Sequence, residues 1–301
     1  MRISAARTSG IKEGLYGVLF ILPSFSGFLL FVLFPVLFSL YLSFNEWAFI
    51  EGFGAIKFNG INNFFLLMKD IWFTESMKNT MIYAFSTVPA GVSLALLIAV
   101  VIHRFSMFKR FITVSVFLPY IASVVAAAVV WRVVLHPTLG PVNQLLMSMG
   151  VQDPPKWFAD LNWALPSLIA FSIWQHLGYM VVVYLAGVKN ISPELYESAS
   201  IDGANEWKKF WVITVPMISP TTFFLVIMGI IGSFKVFDQV RILTEGGPGT
   251  STTVIAYYIY RTAFEYFQMG LASASAWIMF VMVFLVTLVQ WRYQKRWVNY
   301  D

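Results

Sequence analysis

The sequence predicts an all-α polytopic membrane protein with six transmembrane helices. The first observation is composition: 58% of the 301 residues are hydrophobic and 12% are charged, about half the roughly 25% charged fraction of soluble proteins. The second observation is that the hydrophobic residues form long runs, whereas a transmembrane β-barrel shows alternating segments of about ten residues. The net charge of +5 is spread between these runs, so it does not indicate nucleic acid as a partner.

Six stretches reach the length of about 20 apolar residues that a helix needs to cross the hydrocarbon layer. They are 15–44, 80–102, 111–135, 163–188, 210–234 and 271–291. The first is too long for the core of a signal peptide and is followed by no small-residue cleavage site, so we expect an uncleaved helix. The prolines within the spans are interpreted as ordinary kinks, because neighbouring helices can satisfy the freed carbonyls.

The distribution of Lys and Arg predicts that both termini are cytoplasmic. In that orientation the inner side carries twelve basic residues and the outer side eight, although the outer loops are the long ones. We therefore expect a cytoplasmic tail at 1–14, one six-helix domain at 15–291 and a second cytoplasmic tail at 292–301. The sequence has no cysteine, and its three histidines lack the spacing of metal ligands, so we expect no metal site.

The loop at 190–216, between the fourth and fifth spans, is longer than a connection between helices needs. Ser192 and Pro193 predict a helix start, with a hydroxyl cap and proline at the first helical position. Gly203 ends this helix, and Asn205 caps a second one that continues into the fifth span. The loop therefore presents a short acidic helix, which is either a solvated face or a docking element for a partner with a basic pocket.

The same loop contains a motif with fixed spacing. It reads Glu197-Ser198-Ala199, three residues, Gly203, nine residues, and then Ile213-Thr214-Val215-Pro216. This motif resembles the EAA loop of bacterial ABC-importer permeases (E-A-A, three residues, G, nine residues, I-x-L-P) and departs from it only at Ser198 and Val215. Further stretches are similar to the carbohydrate importers of that family, and closest to the maltose-type permease without a large inserted periplasmic domain; they are 192–204, 243–249, and 34–35 with 59–64.

The resemblance implies a maltose-type permease fold and a transport subunit of a binding-protein-dependent ABC importer, which moves a sugar or oligosaccharide inward across the bacterial plasma (inner) membrane. It implies as partners a second homologous permease, a dimer of cytoplasmic ATP-binding subunits and an extracytoplasmic sugar-binding protein, in addition to membrane lipid. The loop, called the coupling loop below, would dock on the ATPase through Glu194, Glu197, Ser198, Ala199, Asp202 and Gly203. The sequence has no G-x-x-x-x-G-K-[ST] phosphate loop, so another chain must bind ATP, and we expect neither a cofactor nor an enzyme here.

The fourth span carries a polar stripe on one helical face, near the middle of the membrane. Its members follow i, i+3, i+4, i+7 spacing and are Ser172, Gln175, His176 and Tyr179. Such residues either join helices or line a pathway. Four in register favour a pathway wall, and the resembling permeases place substrate contacts on this helix. Ser233, in the fifth span, is a weaker addition to this substrate-binding set, and we expect Ile173 on the opposite face.

Two other function classes are weighed against this interpretation. An ion-coupled secondary sugar transporter would need carboxylates within the membrane, and no Asp or Glu lies deep in a span, although His176 alone could titrate. A membrane-embedded enzyme would need a nucleophile with its base, and none is indicated. The polar stripe is neutral, which favours a neutral sugar over a phosphorylated polyol or a uronate, since those would need Lys or Arg at mid-depth.

Overall fold

The computed structural model describes residues 16–104, 108–295 and 297–298. The tail predicted at 1–14 lies outside these residues, as does part of the tail predicted at 292–301. The chain divides into two compact units. The first is drawn from Met1–Leu66 and Thr262–Trp277, and the second from Leu67–Arg261 and Ile278–Asp301.

The regular structure of the described residues is helical apart from one pair of short strands. The helices, numbered in chain order, are α1 (Tyr16–Ser43), α2 (Asn62–Lys69), α3 (Ile71–Arg104), α4 (Lys109–Ile121), α5 (Val124–Val134), α6 (Pro141–Ser148), α7 (Ala164–Lys189), α8 (Pro193–Ile201), α9 (Glu206–Met217), α10 (Ser219–Phe234), α11 (Asp238–Leu243), α12 (Ile255–Tyr260) and α13 (Met269–Gln294). The strands are β1 (Asn45–Glu46) and β2 (Lys57–Phe58). Three stretches have π-helical turns: Leu29–Leu33, Phe210–Thr214 and Arg261–Glu265.

The prediction of an all-helical protein with several membrane spans is confirmed. Among the described residues, α1, α3, α7 and α13 are each long and apolar enough to cross a membrane. The pairs α4–α5 and α9–α10 pass the same test together but are bent by 98° and 64°, so the total reaches six when each pair is counted as one span. The predicted continuity of the helices at 111–135 and 210–234 is therefore wrong.

Each break has a local cause in the backbone. Between α4 and α5, Ala122 and Ser123 adopt extended conformations with ψ of 145° and 127°, which no helix can continue through. Between α9 and α10, Pro220 has no N–H to donate to the carbonyl of Pro216. The hydroxyl of Ser219 donates to that carbonyl instead, at 2.6 Å. These prolines thus accompany a sharp bend, more than the ordinary kink expected for them.

In the first unit, a buried asparagine ties the start of α2 to the end of α1. The amide of Asn63 donates to the carbonyls of Ser43 and Asn45 at 3.0 and 2.9 Å. β1 begins at Asn45 and pairs antiparallel with β2. The hydrogen bond to Ser43 satisfies a carbonyl at the end of a helix, which otherwise lacks a partner, and the one to Asn45 fixes the start of β1. They give a structural reason for an asparagine within the 59–64 stretch.

In the second unit, α7 packs between α3 and α4, and small residues allow close approach of the backbones. Ala95 and Ala99 of α3 are fully buried, as is Tyr184 of α7. Gly178 of α7 lies so near α4 that a Cβ atom there would overlap the carbonyl oxygen of Val116. Close approach through small residues is the usual basis of helix packing in membranes, where lipid removes the hydrophobic driving force between helices. It also fixes α7 beside the cavity described next.

Candidate functional site: a membrane-span cavity and the coupling loop

A cavity of about 460 Å³ lies within the second unit and is called the α7 cavity here. Residues of α3, α4, α5, α7, α10 and α11 line it. Its polar and charged lining residues are Tyr83, Thr87, Tyr120, Ser172, His176, Tyr179, Ser233, Lys235, Asp238 and Gln239. The volume is in the range of small-molecule sites, about 300–1,000 Å³.

Three members of the polar stripe lie on the cavity wall: Ser172, His176 and Tyr179. His176 Nδ1 is 2.9 Å from the carbonyl oxygen of Ser172. Because a carbonyl only accepts, Nδ1 carries the proton, and in the neutral ring Nε2 remains an acceptor. The ring of Tyr179 stacks on Tyr120 of α4 with centroids 5.1 Å apart. The wall therefore offers an imidazole acceptor beside an aromatic pair.

Gln175, the fourth member of the stripe, does not line the cavity. It is 2% exposed, and its Oε1 has no hydrogen-bond partner among the described residues. Ile173, expected on the opposite face, does line the cavity. At about 100° per residue, the cavity face is centred on His176, with Ile173 about 60° to one side and Gln175 about 100° to the other. The predicted sugar contact of Gln175 has no support in this geometry.

The remaining walls come from helices whose sequences carried only a weak signal. Tyr83 and Thr87 of α3 face the cavity, and the Thr87 hydroxyl donates to the Tyr83 carbonyl at 2.7 Å. The i, i+4 spacing of Tyr83 and Thr87 places both on one helical face and could have indicated this wall from the sequence. Isolated Tyr and Thr residues are common in membrane helices, however, so the indication was weak. Ser233 of α10 lines the cavity and donates to the Ile230 carbonyl at 2.7 Å.

One basic and one acidic residue lie at the edge of the cavity. Lys235 and Asp238 both line it and are exposed. Neither makes an ion pair with another described residue. Their charges cancel, so the charged lining adds no net charge to the site. No three His, Asp or Glu side chains within the described ranges are placed to hold a metal ion.

The predicted caps of the coupling loop are confirmed. The Ser192 hydroxyl accepts from the Glu194 amide at 3.3 Å at the start of α8. α8 ends before Gly203, whose φ of +75° lies in the left-handed region that side chains with a Cβ disfavour. The Asn205 side chain accepts from the Lys208 amide at 2.8 Å and starts α9.

Within the coupling loop, α8 is bonded to α9, and the acids of α8 are exposed. The hydroxyls of Tyr196 in α8 and Thr214 in α9 lie 3.0 Å apart. Lys209 donates to the Ser200 hydroxyl at 2.6 Å. Of the predicted coupling residues, Ala199 is half-buried, and the others are exposed: Glu194, Glu197, Ser198, Asp202 and Gly203. α8 is thus tied to α9, the helix that leads into the fifth span, while its acids face outward.

Residues 72–299 match the family described as "Binding-protein-dependent transport system inner membrane component". The chain belongs to this family of permeases. The probable ABC transporter permease protein YesP of Bacillus subtilis (strain 168) is 37% identical over 294 residues, which are 96% of this permease and 94% of YesP. The lactose transport system permease protein LacF of Rhizobium radiobacter is 32% identical, with 91% of each chain covered. A crystal structure of a bacterial alginate ABC transporter, in complex with alginate pentasaccharide-bound periplasmic protein, matches with a TM-score of 0.82, 27% identity and 96% of each chain covered.

These comparisons confirm the family that the EAA-type motif indicated. The protein is a multi-pass membrane permease, the transport subunit of a binding-protein-dependent ABC importer of sugars or oligosaccharides. It works with a periplasmic binding protein and with the other ABC transporter subunits. ATP hydrolysis belongs to a separate subunit, and the permease family uses no cofactor of its own. The alternative of an ion-coupled secondary transporter is therefore wrong.

Proposed function

We propose that this permease passes a neutral sugar or oligosaccharide through the α7 cavity. It lies in the bacterial plasma membrane with both termini cytoplasmic, beside a second homologous permease and above a dimer of ATP-binding subunits. The observation that carries the proposal is the cavity wall formed by Ser172, His176 and Tyr179 together with Ser233. These groups offer neutral hydrogen-bond donors and acceptors, as sugar hydroxyls require.

The chemistry of the wall supports a transported sugar better than it supports helix packing. Polar groups left against lipid are costly, so their convergence on one cavity indicates a water-filled path. The stacked rings of Tyr120 and Tyr179 present aromatic surface to the face of a pyranose. Neutral hydrogen bonds also hold a ligand more weakly than charge-assisted ones, which suits a site that must release its cargo.

Cysteine labelling tests the path, because the native sequence contains no cysteine. The variants Ser172→Cys, His176→Cys and Tyr179→Cys should react with a small water-soluble thiol reagent in the assembled transporter. Trapping the transporter with ATP and a hydrolysis-deficient ATPase should change the labelling rates. Val181→Cys and Val182→Cys are the matched controls on α7. Val181 is 1% exposed in the core, and Val182 is exposed but outside the cavity.

The controls should stay unreactive, because neither position meets water inside the protein. Equal labelling of all five positions would show that the reagent reaches every side of α7, which would contradict a water-filled path along the polar stripe. Absence of labelling at Ser172, His176 and Tyr179 in every trapped state would assign the stripe to helix packing and remove the proposed path.

Neutral cargo is tested by competition for uptake. In cells that express the complete transporter, unlabelled neutral oligosaccharides should compete with labelled cargo, whereas oligosaccharides of uronic acids should not. The physical reason is that the charges of Lys235 and Asp238 cancel, so the α7 cavity has no net positive charge to neutralise an anion. Uptake inhibited more strongly by uronates than by neutral sugars would contradict this part of the proposal.

We also propose that the exposed side of the coupling loop docks in a cleft of the ATPase. The acids Glu194, Glu197 and Asp202 are all exposed there, and the Tyr196–Thr214 contact links α8 to α9. Removing one partner of a desolvated interfacial charge pair costs about 2–5 kcal/mol. Glu197→Lys should therefore abolish sugar-stimulated ATP hydrolysis, and Gly203→Asp should do so by straining the turn.

The matched control is Asp153→Lys, which makes the same charge change at an exposed residue on the proposed outer side. It should leave stimulated hydrolysis within about twofold of wild type, because exposed isolated charges contribute little. Membrane insertion and subunit assembly are followed by co-purification. Normal coupling in Glu197→Lys or Gly203→Asp complexes would show that this loop does not dock as proposed.

A further inference from the structure

A second cavity of about 440 Å³ lies in the same unit and shares no lining residue with the α7 cavity. It is called the Arg132 cavity here. It is formed by the end of α5, the turn that follows it, the segment around Lys156 and the loop after α11. These segments are loops and helix ends, so this cavity lies at the rim of the protein. In the orientation proposed above, that rim is the outer one.

Basic groups dominate the Arg132 cavity. Arg132, His136 and Lys156 line it, with Glu245 as the acid among its lining residues. None of Arg132, Lys156 and Glu245 forms an ion pair with another described residue. The Arg132 guanidinium makes one long hydrogen bond, 3.4 Å, to the carbonyl of Ile242. Its charge is therefore available to a ligand.

His136 has a fixed tautomer in which it donates. Its Nδ1 lies 3.2 and 3.4 Å from the backbone amides of Leu139 and Thr138, which can only donate. In the neutral ring, the proton must then be on Nε2. Two cationic donors and one neutral N–H donor thus meet at one cavity. A carboxylate is the ligand that suits these three donors, because hydrogen bonds between cationic donors and a carboxylate are stronger than those between neutral groups.

A buried asparagine holds together the two loops that carry His136 and Lys156. Asn143 is fully buried. Its amide donates to the carbonyls of Pro137 and Pro155 at 2.8 and 2.9 Å. Its Oδ1 accepts from the indole N–H of Trp157 at 2.6 Å. The backbones beside His136 and Lys156 are thereby held in place before any ligand arrives, which reduces the entropy lost on binding.

Backbone strain is found at both sides of the Arg132 cavity. Trp157, next to Lys156, has a φ of +46°, and Glu245 has a φ of +52°. Residues with a Cβ seldom adopt this region, and the strain is retained where the surroundings fix it, commonly at ligand sites. Together with the hydrogen bonds of Asn143, it indicates a built site and argues against an incidental groove.

We propose that the Arg132 cavity receives an acidic side chain of the extracytoplasmic sugar-binding protein and so sets its docking position. The proposal rests on the function and orientation proposed above. A protein carboxylate fits better than the cargo, because the basic groups are exposed at the rim and the α7 cavity, where cargo would pass, has balanced charges. Rim charges of this kind steer encounter and fix register between protein partners.

The test is a titration of the complete transporter, in lipid nanodiscs, with its cognate binding protein loaded with sugar. Arg132→Glu and Lys156→Glu should each raise the binding-protein concentration that half-saturates ATP hydrolysis by about tenfold, because rim charges govern association rates over one to three decades. Arg132→Gln and Lys156→Gln should act in the same direction but less strongly. Basal hydrolysis and the rate at saturation should match wild type, and added salt should reduce the differences.

Lys69→Glu is the matched control, since Lys69 is exposed at the end of α2 and lines neither cavity. It should change the half-saturating concentration by less than about twofold. A second measurement uses a benzophenone attached at Lys156→Cys, which should form a photo-crosslink to the binding protein, whereas Lys69→Cys should form none. A third arm titrates galacturonate alone into the transporter.

The outcomes separate the two proposals. If wild type shows no stimulation by the binding protein, the proposed function fails. If wild type is stimulated, the docking inference is overturned when the Arg132 and Lys156 variants titrate like wild type or when Lys69→Glu weakens docking equally. Saturable galacturonate binding that Arg132→Glu removes would assign the Arg132 cavity to an acidic sugar and overturn the inference as well.

Discussion

Replacing Gly178 by alanine tests how closely α4 and α7 must pack beside the α7 cavity. A Cβ at this position would overlap the Val116 carbonyl oxygen and lie 2.6 Å from the Phe117 Cα. Both atoms belong to the backbone of α4, so no side-chain rotation can remove the overlap. Relief requires α4 and α7 to separate.

The size of the effect follows from the geometry. Ordinary contact begins at 3.4 Å, so α4 must move by about 0.8 Å or more to relieve the 2.6 Å contact with Phe117. Overpacking of this kind costs about 1–3 kcal/mol, and occasionally more. Tyr120 lies one turn beyond Phe117 and stacks on Tyr179, the neighbour of Gly178. The same shift would therefore disturb the aromatic wall of the cavity.

We expect Gly178→Ala to lower the unfolding temperature of the purified transporter and to reduce sugar uptake, both relative to wild type. Gly232→Ala is the control, because Gly232 is helical, lines the same cavity and has nothing within 4 Å of the position that a Cβ would take. Alanine there should be neutral or stabilise α10 by up to about 1 kcal/mol through helix propensity. Intrinsic tryptophan fluorescence follows unfolding, and radiolabelled sugar follows uptake.

The reasoning would be refuted by a Gly178→Ala transporter with wild-type thermal stability and uptake. It would also be refuted if Gly232→Ala were equally destabilised, since the loss would then reflect any added methyl group in a span. If Gly178→Ala lowered the stability but left uptake unchanged, the packing argument would stand. The predicted effect on the cavity wall would then be wrong.

Three further predictions concern single hydrogen-bonded positions. Ser219→Ala should lower the free energy of unfolding by about 0.5–1.5 kcal/mol, because the Pro216 carbonyl loses one hydrogen bond and keeps the one from the Ile218 N–H; an unchanged thermal midpoint would contradict this. Asn143→Leu should cost about 3 kcal/mol or more, since three partners lose their hydrogen bonds, and thermal unfolding of this variant against Asn162→Leu measures the difference. Tyr196→Phe should weaken sugar-stimulated hydrolysis without changing basal hydrolysis, because it cuts the bond to Thr214; wild-type stimulation would exclude that link.

Features set by neighbouring residues in the chain could be predicted from the sequence. Ser192 and Asn205 cap their helices as expected, because a cap bonds an amide two or three residues away. Gly203 likewise ends α8 through its own backbone conformation. Long apolar runs located the membrane helices for the same reason, since span length and hydrophobicity are properties of the local sequence.

Features that depend on which helices meet could not be predicted. Hydrophobicity does not distinguish a straight span from the 98° bend at Ala122 and Ser123, because both place similar residues in the membrane. Helical spacing predicted the face with Ser172 and His176, but it could not say whether Ile173 or Gln175 flanks that face, since the direction of the cavity depends on neighbouring helices. The contribution of Tyr120 arises only from its packing against α7.

The bend between α9 and α10 lies between the two functional regions and connects them through one stretch of chain. On one side of the bend, Thr214 of α9 contacts Tyr196 of α8. On the other side, Ser233 lines the α7 cavity, and Thr222 accepts a hydrogen bond from Tyr184 of α7 at 3.0 Å. α10 is thus bonded to α7, and α9 is bonded to α8, the helix that would meet the ATPase. A movement of α8 would therefore reach the cavity through the joint at Ile218, where the helix is already interrupted and a change of angle breaks few backbone hydrogen bonds.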